Sequence, residues 1–507
     1  MKKILVFAIK TLLTIFASAL VVALLLVAIR GVPGNLAPDY IVEHLRTKGM
    51  PFELSPERGR FALTFSIAEN NSFEFTREIA AMAVPDLATV NNKYVSLFAP
   101  GVSIIALPFY YLGKMFELSQ VVTFASSTLF AGLNLICIIL IVKKMTQNAY
   151  AGVAAGLTFL FGTNAWAYSG TLYQHHLTTF LLLLSFYLLL YKRNLLLTIL
   201  VGILFATAIF VEYPNAIFFI PLLLFLLHKY IDITEVGEKI RLVFNFGIIS
   251  IVLGVAVGLV PLIWYNVRAY NNPLQLAGTL KSVRTLEATD SATLKPQVSY
   301  KQKTVLGFFK LERVPGGLDV LLTSKDRGLL VYAPVILLGF LGFIPLFKKR
   351  RPEAYVLLGT TGIFFALYSM WGDPWGGWAF GPRYMIPTVA LLAVPLGVAI
   401  HAYGRSFWFG VLYVILLNYS LAINAVGALT TIQIPPSVEH DALLLPKLTY
   451  LHNFELLYQG ISNSYIFKTF LFYLIPLHVL ASIMMLSVSW LTALMYLLAQ
   501  KKSASKN

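Results

Sequence analysis

The sequence predicts an all-α polytopic membrane protein with about 12 transmembrane helices and a large first outer loop that contains juxtamembrane helices. Apolar residues make up 58% of the 507 residues and charged residues only 12%, about half the charged share of an average soluble domain. This composition excludes an ordinary soluble protein, a disordered chain and a nucleic-acid-binding module. The single cysteine, Cys137, excludes a disulfide framework and a cysteine metal cluster.

The first predicted span follows Lys2 and Lys3. The stretch from Thr11 to Ile29 carries no charge and is long enough to cross the hydrocarbon core of a bilayer. A cleavable signal has a shorter apolar region, so we expect an uncleaved span with a cytoplasmic N-terminus. The further apolar runs that complete the predicted set lie at about 121–142, 149–167, 175–191, 195–211, 215–227, 242–266, 328–347, 354–371, 384–402, 407–429 and 466–498.

Charge decides how the apolar stretch 94–116 is interpreted. If it does not span, all of the following fall on the N-terminal side of the membrane: Lys143–Lys144, Lys192–Arg193, Lys348–Arg351, Arg405 and Lys501–Lys502. That distribution satisfies the positive-inside rule. The stretch also contains Pro100 and Pro108, which suit an irregular element better than a full helix. We therefore expect a juxtamembrane or re-entrant outer segment, and cytoplasmic N- and C-termini in a plasma (inner) membrane.

With this topology, residues 1–507 form a single integral membrane domain with three long outer loops. These loops cover about 30–120, 267–327 and 430–465, whereas the cytoplasmic loops are short. A protein that concentrates its non-membrane sequence on one face is expected to work there. In a membrane protein, a net charge of +16 indicates the topology and contact with anionic lipid rather than nucleic-acid binding.

The first outer loop supplies the candidate catalytic carboxylates Asp86, Asp39 and Glu69. Asp86 follows Pro85 and precedes the apolar segment, so it is held near the membrane surface, where a carboxylate acts as a general base or a metal ligand. The alternative for Asp86 is a turn-forming residue. For most charged residues of this loop the alternative is a solvated surface. Lys93 is a candidate substrate-binding residue.

Three polar residues at helix ends are further candidates for substrate binding. His175 and His176 lie at the mouth of a span, where an imidazole binds a phosphate, a proton or a metal. Adjacent residues point in different directions on a helix, so one functional histidine is favoured over a shared site. Glu212 ends another span, and a carboxylate at the membrane boundary marks a functional site by default. The alternatives are a capped helix end for the histidines and a helix ending in water for Glu212.

The most distinctive segment runs from Trp371 to Tyr384. Tryptophans form interfacial belts, but Trp375 and Trp378 lie among glycines and prolines, and glycine lets a backbone approach a ligand closely. Aromatic faces such as those of Trp375, Trp378 and Tyr384 stack on sugars or isoprenoid chains. Arg383 is placed to bind a lipid phosphate through paired hydrogen bonds.

Lys325 and Arg327 precede the next span. They either receive an anionic headgroup or anchor the interface. No P-loop, dinucleotide fingerprint or HExxH motif is present, so a nucleotide-sugar or ATP site is not expected.

Taken in order, these segments resemble the type C glycosyltransferase superfamily, in particular bacterial proteins similar to protein O-mannosyltransferases and lipid A aminoarabinose transferases. The resemblance covers most of the chain. It rests on Arg60–Thr64 with Glu69, Asp86, Lys93–Ser96, Ala99–Gly101 through Pro108, His175–His176, Glu212–Pro214, Arg327–Pro334 and Trp375–Tyr384.

This resemblance implies transfer of a sugar from a polyprenyl phosphate or diphosphate to an acceptor on the outer face. An acidic residue of the first loop would deprotonate the acceptor or hold a metal, and basic residues at the outer helix ends would stabilise the leaving phosphate. The implied partners are a polyprenyl-phosphate-linked sugar, membrane lipid, and a glycan, lipid or protein acceptor. A divalent metal ion remains open as a cofactor. The alternatives are a lipid or glycan transporter or flippase, and a non-catalytic assembly subunit.

Overall fold

The structure is a computed structural model that describes residues 2–45, 50–236, 239–244, 247–284, 286, 305–437, 439 and 448–504. Parts of the predicted outer loops 267–327 and 430–465 lie outside the described residues.

The described chain is mostly helical. In chain order its α-helices are α1 (Lys2–Val27), α2 (Pro38–Glu43), α3 (Ser55–Asn70), α4 (Arg77–Ala83), α5 (Gly101–Ile105), α6 (Leu107–Met115), α7 (Ser119–Thr146), α8 (Ala149–Phe161), α9 (Ala165–Tyr168), α10 (His175–Leu189), α11 (Leu195–Val211), α12 (Asn215–Phe218), α13 (Ile220–Tyr230), α14 (Gly247–Tyr270), α15 (Val314–Leu322), α16 (Leu329–Tyr332), α17 (Gly339–Lys349), α18 (Arg351–Met370), α19 (Ile386–Tyr403), α20 (Phe407–Leu429), α21 (Tyr450–Tyr458) and α22 (Leu477–Ala504). The strands are β1 (Glu74–Phe75), β2 (Leu87–Val90), β3 (Lys93–Ser96), β4 (Ile231–Val236), β5 (Lys239–Phe244) and β6 (Lys281–Val283).

Among the described residues, six helices are long and apolar enough to cross a membrane. They are α7, α14, α18, α19 with the residues just before it, α20 and α22. Shorter apolar helices accompany them in α1, α8, α10, α11 and the pair α12–α13. The prediction of a helical, multi-pass membrane protein is confirmed, whereas the count of about 12 spans stays a prediction.

Several predicted spans are not single continuous helices, and the runs 328–347 and 242–266 show two kinds of interruption. The run 328–347 is divided into α16, a 3₁₀ segment at Pro334–Leu338 and α17, because Pro334 lacks the N–H that a continuing helix requires. The run 242–266 begins as strand β5, which pairs with β4 in an antiparallel hairpin. Its helix starts only at Gly247, where the ring of Tyr230 leaves no room for a Cβ atom.

A small antiparallel sheet in the outer region was not predicted from the sequence. Its strand order is β1–β3–β2–β6, so the second outer loop supplies an edge strand to a sheet built by the first. Leu87 of β2 faces Ser96 of β3 on one side and Val283 of β6 on the other. Strand β2 begins immediately after Asp86, and the sheet therefore fixes the position of that residue.

The apolar stretch 94–116 forms strand β3 followed by the short helices α5 and α6. Neither helix alone approaches the roughly 20 residues that a span needs. Helix α6 exposes Tyr111, Leu112 and Met115, an apolar edge suited to the membrane boundary. Its placement outside the membrane remains a prediction.

Helices α11 and α14 pack backbone to backbone through glycines. A Cβ atom on Gly254 would lie 2.2 Å from the carbonyl oxygen of Ile199, and one on Gly202 would lie 2.7 Å from that of Ile251. Small residues of this kind let membrane helices approach closely. The contact holds α11 in place, and with it Glu212 at its outer end.

A buried ion pair joins the end of α1 to the first outer loop. Arg30 Nε lies 2.7 Å from Glu53 Oε1, and both side chains are almost fully buried. The Arg30 guanidinium also donates to the carbonyl oxygens of Ala167 and Gly427, while Glu53 accepts from the backbone N–H of Ile432 at 2.7 Å. One pair therefore connects four distant parts of the chain.

Glu53→Gln is expected to lower the free energy of unfolding by about 3 kcal/mol or more, because it leaves a buried guanidinium without its counter-charge. Glu74→Gln is the matched control, since Glu74 forms an exposed pair with Lys93 and exposed pairs contribute less than about 1 kcal/mol. Thermal unfolding of both purified variants in detergent checks this. Equal melting temperatures would contradict the structural role of the buried pair.

Candidate functional site

A chain of hydrogen bonds joins helix α3 to the ends of the apolar helices α10 and α11. Arg60 Nη2 donates to Gln174 Oε1 at 2.6 Å, and Gln174 Nε2 donates to Glu212 Oε1 at 2.9 Å. Arg60 is buried, with its guanidinium 4.2 Å from the ring centre of Phe98. Burial lowers the pKa of Arg60 to about 10, so it remains cationic at neutral pH.

A second buried cation, Arg383, lies near Arg60. The two arginines and the side chains around them are called the polar cluster below. The guanidinium carbon of Arg383 is 5.0 Å from the ring centre of Tyr173 and 5.3 Å from that of Tyr384, while the Tyr384 ring stacks on Tyr368 at 4.5 Å. The aromatic rings exclude water from one side of the cation. Its Nε and Nη1 atoms are buried and have no hydrogen-bond partner, so Arg383 retains donors for an anion.

Asp86 faces this group of cations. Its Oδ2 atom is buried without a hydrogen-bond partner, and its backbone N–H donates to Ala83 O at 3.0 Å. Burial raises the pKa of Asp86 above its usual range, and a hydrogen bond with Ser55 and the charges of nearby arginines oppose that rise. The arginines are Arg60, Arg58 and Arg383. The result is a carboxylate of raised basicity in a positive environment.

Arg58 contributes another constrained cation beside Asp86. Its Nη2 atom donates to the carbonyl oxygen of Val84, whereas its Nε is buried without a partner. Burial lowers the pKa of Arg58, and the charges of Asp86 and Glu57 raise it. Arg58 therefore both fixes the turn that carries Asp86 and adds positive charge beside it.

The two predicted histidines have different environments. The ring of His175 stacks on Tyr173 with centres 5.7 Å apart, and its Nε2 is buried without a partner. His176 Nε2, in contrast, lies 2.8 Å from Ala165 O, and its ring also contacts Asn134. His175 is thus part of the cluster, while His176 is held by the surrounding backbone.

Glu57 was not singled out from the sequence. It is buried, and its Oε1 accepts from the backbone N–H groups of Glu53 and Leu54 at 2.6 and 3.2 Å. Burial, together with the charge of Glu53, raises the pKa of Glu57 to about 8. A largely protonated carboxyl group at neutral pH leaves the net charge of the adjacent cluster positive.

Arg327 holds the Trp-Gly segment rather than presenting a free guanidinium. Its Nε donates to Trp375 O at 2.9 Å, and its Nη2 donates to Gly377 O and Ile434 O. Arg327 is completely buried. It therefore fixes the backbone that surrounds Arg383. No short sequence pattern around Arg327 predicts this role.

The tryptophans and Tyr384 line this segment. Trp375 is half-buried, and its indole N–H has no hydrogen-bond partner. Trp378 Nε1 donates to Glu439 Oε2 at 2.9 Å, which attaches the segment to the third outer loop. Tyr384 contacts the His175 ring edge to face, with centres 6.1 Å apart.

Gly376 packs directly against the candidate anion site. Its φ is +73°, and a Cβ atom there would lie 3.0 Å from Arg383 Nε and 3.2 Å from the Tyr384 ring. Gly376→Ala is therefore expected to displace the guanidinium and reduce turnover on the order of 10-fold to 100-fold. Purified variants would be compared for activity and thermal stability.

Gly377→Ala is the matched control for that change. Gly377 has a similar φ of +64°, but a Cβ atom there would approach only Asp373, at 3.8 Å. Both variants carry the same kind of backbone strain, and only one displaces Arg383. Equal losses of activity would show that strain alone is responsible.

The remaining predicted site residues are exposed or engaged elsewhere. Glu69, nine positions after Arg60 on α3 and hence about 13 Å along its axis, pairs with Lys114 at 2.7 Å. Lys93 pairs with Glu74, and Asp39 and Lys325 are exposed. Of the three candidate first-loop carboxylates, Asp86 is the one whose pKa is affected by the charges of Arg60 and Arg383.

The polar cluster does not match the ligand set of a divalent metal ion. In the part of the chain that the structure describes, no group of three or more His, Cys, Asp or Glu side chains is arranged to hold a metal. Asp86 and Glu212 are instead accompanied by arginines, which repel a metal cation. The donor set therefore fits an anion and not a divalent ion.

The fold is shared with a solved structure. The crystal structure of apo ArnT from Cupriavidus metallidurans aligns at a TM-score of 0.52 and 13% identity, covering 97% of this chain and 78% of that one. ArnT from the same organism bound to undecaprenyl phosphate aligns at a TM-score of 0.48 and 12% identity, covering 96% and 78%. No protein-family model and no curated protein matches the sequence. The first alignment shows that this chain shares the fold of ArnT.

Proposed function

We propose that this chain is a membrane glycosyltransferase that moves a sugar from a polyprenyl-phosphate donor to an acceptor on the outer face of the inner membrane. The acceptor is a glycan, a lipid or a protein. Both termini lie in the cytoplasm in this proposal. The fold shared with ArnT supports this proposal, and the polar cluster is the main evidence for it.

The main support for this proposal is a group of buried polar atoms without hydrogen-bond partners. Five side chains of the cluster contain such atoms: Arg58, Asp86, Tyr173, His175 and Arg383. Buried polar groups are nearly always paired in folded proteins, and an unpaired one costs free energy. Their grouping at one place is expected of a site whose partner is a ligand.

The donor phosphate is assigned to Arg383, with Arg60 contributing a second positive charge. A planar guanidinium with two unused donors matches a phosphate group. The Tyr173 hydroxyl, buried and unpaired between these cations, is placed to donate to the same anion. The aromatic rings of Tyr384 and Trp375 are suited to the sugar or the first isoprene units.

In the proposed reaction, the Asp86 carboxylate takes the proton of an acceptor hydroxyl. The acceptor oxygen forms a bond to the anomeric carbon of the sugar, and the bond from that carbon to the phosphate oxygen breaks. The electron pair of the broken bond leaves with the polyprenyl phosphate. Arg383 and Arg60 stabilise the negative charge that accumulates on this leaving group.

A flippase or transporter is the main rival. Transporters place their substrate sites near the bilayer midplane, on discontinuous helices of paired repeats. The cluster here lies at helix ends, where α10 begins at His175 and α11 is followed by Glu212. The Asp86 oxygen without a hydrogen-bond partner, near these cations, also suits the proton transfer that glycosyl transfer requires.

The test is a screen of radiolabelled polyprenyl-phosphate sugars with the purified full-length protein in nanodiscs. Release of polyprenyl phosphate with the sugar on an acceptor, or on water, supports the transferase. Movement of an intact labelled lipid between leaflets without cleavage would support the flippase. Failure to cleave any donor, by a protein with a normal melting profile, would contradict the proposal and favour an assembly subunit.

A further inference from the structure

Glu57, in the first turn of α3, uses one of its two carboxyl oxygens for hydrogen bonds within the protein. Its Oε1 accepts from the backbone N–H groups of Glu53 and Leu54, as a glutamate at the start of a helix commonly does. Its Oε2 is buried and has no hydrogen-bond partner among the residues that the structure describes. Glu57 is 1% exposed, so bulk water does not satisfy that oxygen.

The hydrogen bonds of Glu57 indicate where the proton of its neutral form lies. Burial, together with the charge of Glu53, raises the pKa of Glu57 to about 8, so the carboxyl group is mostly protonated at neutral pH. In a protonated carboxyl group one oxygen donates and the other accepts. Because Oε1 already accepts from two N–H groups, the proton belongs on Oε2. In the described part of the chain, Glu57 therefore presents a buried O–H donor without an acceptor.

The charged and titratable groups around Glu57 come from several parts of the chain. Glu53 and Arg30 act on its pKa in opposite directions, beside the larger effect of burial, and they form the buried ion pair at the end of α1. Arg58 and Tyr173 lie within reach of the charge of Glu57. Glu57 is thus close both to the ion pair and to two members of the polar cluster.

Tyr173 connects Glu57 with the phosphate assigned to Arg383. The Tyr173 hydroxyl is also buried and without a partner among the described residues, and its ring centre lies 5.0 Å from the Arg383 guanidinium carbon. A phosphate oxygen that accepts from this hydroxyl is brought near Glu57 as well. The protonated carboxyl group can donate to such an oxygen, whereas the ionised form repels it.

We propose that Glu57, in its protonated form, donates a hydrogen bond from Oε2 to a phosphate oxygen of the lipid donor. This inference rests on the proposed function, because it requires a phosphate held by Arg383 and Tyr173. The ligand class is a phosphodiester lipid with one negative charge, as in a polyprenyl-phosphate sugar. Binding then depends on pH, since the site favours the anion only while Oε2 carries its proton.

Glu57→Gln tests this assignment in the full-length protein in nanodiscs. The probe is farnesyl methyl phosphate, a phosphodiester whose single charge stays constant between pH 7 and pH 9. Wild type should lose about 10-fold in affinity over this range, because a carboxyl group with a pKa of about 8 becomes mostly ionised and binding is linked to its proton. A glutamine keeps the acceptor for the backbone N–H groups and donates through its amide at both pH values. Its affinity should therefore fall by less than about 2-fold.

Glu78→Gln is the matched control, because Glu78 lies in the first turn of α4 and is exposed. This variant should show the pH dependence of wild type. A loss in Glu57→Gln equal to that of wild type would overturn the assignment of Glu57 and leave the transferase proposal intact.

The wild-type profile alone tests the assignment if Glu57→Gln does not fold. Constant wild-type affinity for the phosphodiester between pH 7 and pH 9 would overturn the role of Glu57 without affecting the proposed phosphate site. Wild type that binds neutral farnesol as tightly as the phosphodiester at every pH would overturn the phosphate site itself, and with it this inference.

Discussion

Arg383→Gln is expected to lower sugar transfer by about 10²-fold to 10³-fold, the usual cost of removing one preorganised donor from a developing anion. Arg383 is buried between Tyr173 and Tyr384 with two unused N–H donors. Its charge acts in a region of low dielectric, where it is worth more than in water. The measurement is donor cleavage by the purified variant at saturating donor.

Arg383→Lys sharpens this test. A lysine keeps the charge but not the planar pair of donors, so we expect only a small part of the activity to return. Arg284→Gln, at an exposed arginine of the second outer loop, is the control for a lost positive charge. Full turnover of the Arg383→Gln protein with an unaltered melting profile would remove Arg383 from the mechanism.

Asp86→Asn is expected to reduce transfer by about 10²-fold to 10⁴-fold, the range for loss of a general base. The asparagine keeps the size of the side chain but cannot accept a proton. Asp39→Asn and Glu69→Gln are the comparisons, because Asp39 is exposed and Glu69 is paired with Lys114. If one of these two abolishes transfer while Asp86→Asn does not, the base is reassigned to that residue.

The pH dependence of transfer supplies a second readout for Asp86. Burial raises its pKa, and a base must be deprotonated to act, so activity should fall on acidification at a higher pH than an ordinary aspartate would give. Arg58 opposes this rise. Arg58→Gln should therefore move the acidic limb of the profile to still higher pH. A shift in the opposite direction would contradict the electrostatic role of Arg58.

The sequence predicts a helical, multi-pass membrane protein because the bilayer imposes a simple rule. A membrane-spanning helix must be long and largely uncharged, and such runs are visible without knowledge of the fold. Breaks within these helices are harder to predict from the sequence. Pro334 explains why the run 328–347 is broken. The hairpin of β4 and β5, in contrast, depends on pairing between two segments, and neither segment alone has a sequence that predicts a strand.

The candidate site was predictable only where local sequence restricts geometry. Asp86 after a proline and Arg383 at the end of a glycine-rich segment could both be identified in this way. The hydrogen bonds from Arg60 to Gln174 and from Gln174 to Glu212 join residues 114 and 38 positions apart, and no local pattern encodes them. The backbone-holding role of Arg327 likewise depends on carbonyl groups of distant segments.

The length of α11 has a consequence for the bilayer itself. Its 17 residues extend about 25 Å, less than the roughly 30 Å of a typical hydrocarbon core. Helix α14 packs tightly against α11 through Gly202 and Gly254. Tilting only one of the two helices therefore cannot change how well the length of α11 matches the bilayer thickness. In the proposed topology α11 spans the bilayer, and we expect the lipids beside its end at Glu212 to be compressed. This thinning would lower the plane of outer-leaflet phosphates toward Arg383, so that a long-chain lipid would reach the proposed site with less of its chain withdrawn from the membrane.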